Sequence, residues 1–130
     1  MATLFWSLTL QITGSTAVTL SRPPMEVEAT DRIEVSIQPG DTDKVIDLQP
    51  GENSAMHLLV IKSSSYGAHL SFKVGDGTTD SPSLTLDSPQ IFSGGGIALF
   101  GVAPRQIKFT NTGSDKPAVV EVLAARDATP

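Results

Sequence analysis

Apolar and polar residues alternate along most of the chain. At its start Leu4, Trp6, Leu8, Leu10 and Ile12 are apolar and Ser7, Thr9 and Gln11 lie between them, with Phe5 as the exception. A period of two is that of a strand with one wet face. Ala17 to Ser21 forms a second short run after Gly14-Ser15, so residues 3–21 predict a hairpin, which Arg22-Pro23-Pro24 is expected to break. Ile33, Val35 and Ile37 alternate with Glu34 and Ser36, and Pro39-Gly40-Asp41 predicts a turn. Lys44 to Gln49 reads as a short strand closed by Pro50-Gly51-Glu52-Asn53. Met56 to Lys62 is more continuously apolar, which predicts burial on both faces.

After a loop over Ser63 to Gly67, Leu70, Phe72 and Val74 alternate with Ser71 and Lys73. Residues 75–82 form a polar loop, and Ser83 to Leu86 and Gln90 to Phe92 are short strands. Gly94-Gly95-Gly96 reads as a turn or flexible link before the apolar run Ile97 to Val102. Ile107 and Phe109 alternate, Asn111 to Pro117 turns, and Val119 to Ala124 closes the sheet. No stretch carries a helical stripe. About nine or ten short strands with turn signals every ~8–12 residues predict an all-β fold, a two-sheet antiparallel sandwich with jelly-roll-like connections. The expected core is Ile33, Val35, Ile37, Leu58, Val60, Leu70, Phe72, Ile107, Phe109, Val120 and Val122. The last strand has an alternative inward face in Val119 and Leu123.

Composition sharpens this picture. A length of 130 residues fits one domain, here 1–130 with a frayed tail over 126–130. There is no Cys, so disulfides, zinc-thiolate sites and Cys nucleophiles are excluded. A net charge of −5 leaves no cationic surplus to neutralise phosphates, so nucleic acid is not an expected partner. Residues 1–21 carry no charged side chain, the first being Arg22. Their hydroxyls, amides and alternation suit a strand rather than a secretory signal or a membrane helix, so no membrane partner is expected.

Candidate chemistry is sparse. His57 and His69 read as ordinary strand positions flanking a hairpin loop, with His57 roughly opposite Phe72. A shared metal would need a different register. There is no G-x-S-x-G elbow. Asp76 to Asp80 reads as an Asp-Gly turn, because a calcium loop needs further ligands and a terminal Glu. Asp41, Asp43 and Asp47 fit a solvated edge that discourages wrong pairing. The Gly94–Gly96 run has no following lysine or helix and is not a phosphate loop. No catalytic, cofactor-binding or metal-ligating residue is assigned. The candidate contact residues are Leu4, Trp6, Leu8 and Leu10 on the uncharged hairpin, and Tyr66 in a loop. Residues 1–21 therefore have two readings: a hairpin paired within its own domain, or an arm that meets a partner.

Small, Cys-free, acidic and all-β, the chain closes with residues 105–124 (RQIKFTNTGSDKPAVVEVLA), a strand, polar turn and strand. In these features it resembles the jelly-roll decoration, or cement, proteins of tailed-bacteriophage capsids. The resemblance implies a non-enzymatic virion protein on the capsid exterior. Its partners would be the major capsid protein and copies of itself, as a homo-oligomer on the particle. The alternative is a carbohydrate- or cell-surface-binding β-sandwich module, for which an aromatic content of 5% offers few stacking platforms. A small enzyme on a cupin-like barrel would need clustered His and a Glu.

Overall fold

A computed structural model describes residues 2–48 and 56–127. The predicted turn Pro50–Asn53 and the last three residues lie outside the described residues. The strands are β1 (Ala2–Leu10), β2 (Val18–Val27), β3 (Ala29–Ile37), β4 (Lys44–Asp47), β5 (Met56–Ser63), β6 (Leu70–Gly75), β7 (Leu84–Thr85), β8 (Gln90–Ser93), β9 (Gln106–Asn111) and β10 (Ala118–Arg126).

β1 and β2 form a two-stranded ribbon, while the other eight strands make two antiparallel sheets in the orders β3-β10-β5-β8 and β4-β9-β6-β7. The last eight strands pair as β3 with β10, β4 with β9, β5 with β8 and β6 with β7. That nesting is what one long hairpin produces when it is rolled into two layers, and it is jelly-roll-like. The alternating residues of both inner faces meet in one core, which includes Ile37, Leu59, Ile61, Leu70, Phe72, Ile107, Phe109, Val120 and Val122. Phe72 and Phe109 are opposite each other across β6 and β9, with ring centroids 6.1 Å apart. Of the two faces open to the last strand, Val120 and Val122 point inward and Val119 is exposed.

Four expectations about the sandwich are corrected by the structure. First, β5 and β6 belong to different sheets, so His57 does not face Phe72; the loop between them is a corner of the roll. Second, β5 is buried on both faces as expected, but Leu59 and Ile61 fill the main core, while Leu58 and Val60 lie on the outer face under the ribbon. Ile33 and Val35, on the edge strand β3, are only partly buried. Third, Gly94–Phe100 is a 3₁₀ helix. Three residues per turn place Ile97 and Phe100 on one side, both buried. Gly101 ends the helix at φ 74, a left-handed conformation that suits glycine, and its N–H donates to the Ala98 carbonyl. Fourth, Arg126 is not frayed: it is buried within β10 opposite Ala29.

Polar groups hold the corners. Buried Asn111 donates through Nδ2 to the Ile37 and Lys116 carbonyls and accepts from the Gly113 N–H at 2.9 Å. Ser81 Oγ accepts from the Val74 N–H at 2.9 Å. These bonds satisfy backbone groups where the ladders stop.

Candidate interaction arm

The ribbon is the part of the molecule that its own core does not absorb. Its register places Leu4 opposite Met25, Trp6 opposite Arg22, Leu8 opposite Leu20 and Leu10 opposite Val18. Directly paired residues share a face, so Leu4, Trp6, Leu8, Leu10, Val18, Leu20 and Met25 form an apolar stripe, which Arg22 joins opposite Trp6 with its Nε donating to Met25 Sδ at 2.9 Å. Arg22-Pro23-Pro24 does not break the strand, contrary to the expectation from sequence. β2 continues to Val27, and the register shifts between Leu4 and Trp6, so the prolines sit in a bulge. A bulge in a two-stranded ribbon tolerates residues without an N–H.

The base of the arm is seated. Leu4, Trp6 and Met25 pack with Val27, Leu58, Val60 and Ala125 in a second, smaller cluster on the outer face of the β3-β10-β5-β8 sheet. The Glu28 N–H donates to the Arg126 carbonyl at 3.1 Å and ties the end of the ribbon to β10. The Trp6 indole Nε1 is buried in this apolar seat and meets no hydrogen-bond partner among the described residues. Beside the seat lies an open cleft of about 200 Å³, lined by arm residues Leu4 to Leu8 and by Leu58, Val60, Leu123 and Ile91.

The far half of the arm is bare. Leu10, Ile12, Val18 and Leu20 are 49%, 74%, 53% and 45% exposed, and Phe5 on the opposite face is 69% exposed. The tip is closed by the Ser15 N–H donating to the Ile12 carbonyl at 2.9 Å, with Gly14 at φ 82. Neither edge of the ribbon pairs with another strand among the described residues. Exposed edges are ordinarily guarded by charge or proline, and here no charged side chain precedes Arg22.

The rest of the outer face differs in kind. Next to Leu123 and Val60, Glu121 accepts from Arg32 Nε at 2.7 Å and lies 3.5 Å from Lys62 Nζ. The Arg32 hydrogen bond, and then Lys62, hold the Glu121 carboxyl below its ordinary value of 4.5.

Leu4, Trp6, Leu8 and Leu10 are brought together as one stripe, while Tyr66 stands apart. Its half-buried ring packs on the main core and its hydroxyl accepts from the Ser63 N–H at 3.0 Å. His57 Nε2 lies 2.8 Å from Asp127 Oδ2 at the start of β5, and His69 sits before β6, beside Gly67 and Gly113. Among the described residues no group of three His, Asp or Glu side chains could hold a metal. Asp76 accepts from the Thr78 and Thr79 N–H groups, and chiefly the Thr79 bond lowers its carboxyl below 3.8; this is a turn, as expected. Asp41 caps the Gln38 N–H, Asp43 lies 3.6 Å from Lys73 Nζ, and Asp47 is exposed on β4. The exposed apolar residues that the sequence left out of its candidate set are Val18 and Leu20 on β2 and Ile91 on β8. Val18 and Leu20 carried a signal, since they flank Thr19 in the same alternation.

Comparison with protein-family models, curated proteins and solved structures finds no match.

Proposed function

We propose that this chain is a virion structural protein, a decoration or cement protein that binds the outside of an assembled tailed-bacteriophage capsid and stabilises it. The observation that carries this reading is the arm: a ribbon with no charged side chain before Arg22, seated at its base on a β-sandwich and apolar along its uncovered half. Burying the exposed parts of Leu10, Ile12, Val18 and Leu20 at a contact on the particle, with the shell or with a neighbouring copy, would contribute about 1 kcal/mol each, because full burial of such side chains is worth ~1.5–3 kcal/mol. No ion has to be desolvated to gain it. A shell presents the same site many times, so a modest contact per copy, repeated between linked neighbours, gives tight occupancy. The rigid sandwich supplies a fixed base from which the arm is aimed.

The test is co-sedimentation with particles of the encoding phage from which this protein has been stripped. The full chain is expected to pellet with the particles, and a variant lacking residues 2–12 to stay in the supernatant. Binding unchanged by that deletion would remove the arm from the mechanism. A chain that ignores particles but labels a glycan array would replace this reading with the carbohydrate-binding one.

A further inference from the structure

Among the described residues two strand edges lack the usual guards, and both border the same cleft. One is β1 of the arm. The other is β8, which ends the β3-β10-β5-β8 sheet and reads Gln90-Ile91-Phe92-Ser93 with no charged residue. The remaining edges are protected. β3 carries Asp31, Arg32 and Glu34, β4 carries Lys44 and Asp47, and β7 is two residues long. Ile91 is 47% exposed and lines the cleft together with arm residues up to Leu8. Beyond Leu8 every arm residue as far as Pro24 is exposed.

We infer that the occupant of the bare arm is a second copy of this chain: the far half of one arm lies along the β8 edge of another copy and covers its cleft. One observation favours a copy over an unrelated protein, and charge says where two copies can meet. The net charge of −5 is carried wholly by residues 22–130, so most approaches of two copies bring like charge together. Among the described strands, the far half of the arm and the β8 edge carry no charged side chain and avoid that cost. The seat already formed within one chain shows that this outer face accepts this ribbon, since Leu58 and Val60 pack against Leu4 and Trp6. Main-chain pairing along a free edge supplies the hydrogen bonds, and Ile91, Val60 and Leu123 supply the apolar floor. The contact joins different patches, so it closes by reciprocity in a pair or as a small ring, or runs on as an open filament where the rotation does not close. It rests on the reading of the arm as a contact element and requires no particle.

The experiment is sedimentation of the full chain, alone, up to about 100 μM, a range that captures a micromolar contact. The wild type is expected to associate. Leu10→Lys with Val18→Lys disables the arm, Ile91→Lys guards the edge, and each is expected to leave a monomer. Mixing the two variants is expected to restore association partly, because each supplies the half the other lacks. Val45→Lys, equally exposed but on β4 of the other sheet, is expected to associate as the wild type does. Fluorescence of Trp6, the only tryptophan, reports that the arm base stays seated in the Ile91 variant. A wild type that stays monomeric overturns the inference. So does association that survives Ile91→Lys, or variants that fail to complement with their arms seated; that last result places arm against arm. Because no particle is present, the decoration reading stands or falls separately, by co-sedimentation.

Discussion

β1 and β9 carry the same alternation and meet opposite fates. In β9, Ile107 and Phe109 are fully buried between the two sheets. In β1, Leu4 and Trp6 are half-covered, Leu8 marks the boundary and Leu10 is half in solvent. Hydrophobicity alone does not separate them. What differs is the opposing layer. β9 lies in the centre of its sheet, with β4 on one side and β6 on the other and a second sheet across the core. β1 has one neighbour, and the sandwich beneath it supplies apolar floor only at Leu58, Val60, Leu123, Ala125 and Ile91. Beyond that floor the same pattern continues with nothing against it. A stripe that folding does not need is a stripe available for assembly.

The largest expected effect tests the buried side of this comparison. Phe109→Ala should cost about 3–5 kcal/mol, the loss of transfer free energy plus a cavity between the sheets. Phe109 is fully buried and touches Phe72, so the site has little room to collapse. Chemical denaturation measures it. A loss under about 1 kcal/mol would mean that β9 is no better covered than the arm.

The strands were legible because a period of two is imposed by the pleat itself. Ile107 and Phe109, Leu70 and Phe72, and Leu4 and Trp6 each announced a strand and a face. The alternation cannot say what covers that face. Hence Leu58 and Val60 read as main core although they floor the arm's seat, and the short loop after β5 read as a hairpin although it turns a corner between sheets. Arg22-Pro23-Pro24 misled for a local reason: a missing N–H stops a strand only where the ladder needs that donor, and a bulge does not. Ile97 and Phe100 did carry the three-residue spacing of a 3₁₀ turn, but the glycines before them hid it. The candidate stripe on β1 was visible from its first residues. Its partner Ile91 was not, because nearness to the arm arises from the order β10-β5-β8.

An intermediate effect separates the charged part of the outer face from the arm. Because Glu121 is held below its ordinary 4.5 chiefly by Arg32, the folded state prefers its ionised form. The stability this contributes is present above that ordinary value and is lost as pH falls through the lowered one. Glu121→Gln should therefore lower the thermal midpoint slightly at neutral pH, and the gap to wild type should close as pH falls through the carboxyl's lowered value. The shift is expected to be small, because the pair is open to solvent and screened. A gap between the two proteins that widens on acidification would reverse the sign and break the assignment. Residues 1–21, which carry no charged side chain, should contribute nothing to this acid limb.

The smallest expected effect is the most informative about the arm. Leu10→Ser removes an apolar side chain of the same alternating type as Phe109, yet Leu10 is 49% exposed and lies in the half of the ribbon with no floor beneath it. In the monomer its removal should change unfolding free energy by less than about 0.5 kcal/mol, the range of ordinary surface substitutions. Serine is compatible with an exposed strand and adds no charge, so the ribbon itself should persist. The measurement belongs at low protein concentration, where association cannot add to apparent stability. A cost above about 1 kcal/mol would mean that Leu10 is seated on its own domain. The two stripes would then share one fate, and the bare half of the arm would no longer be available to a partner.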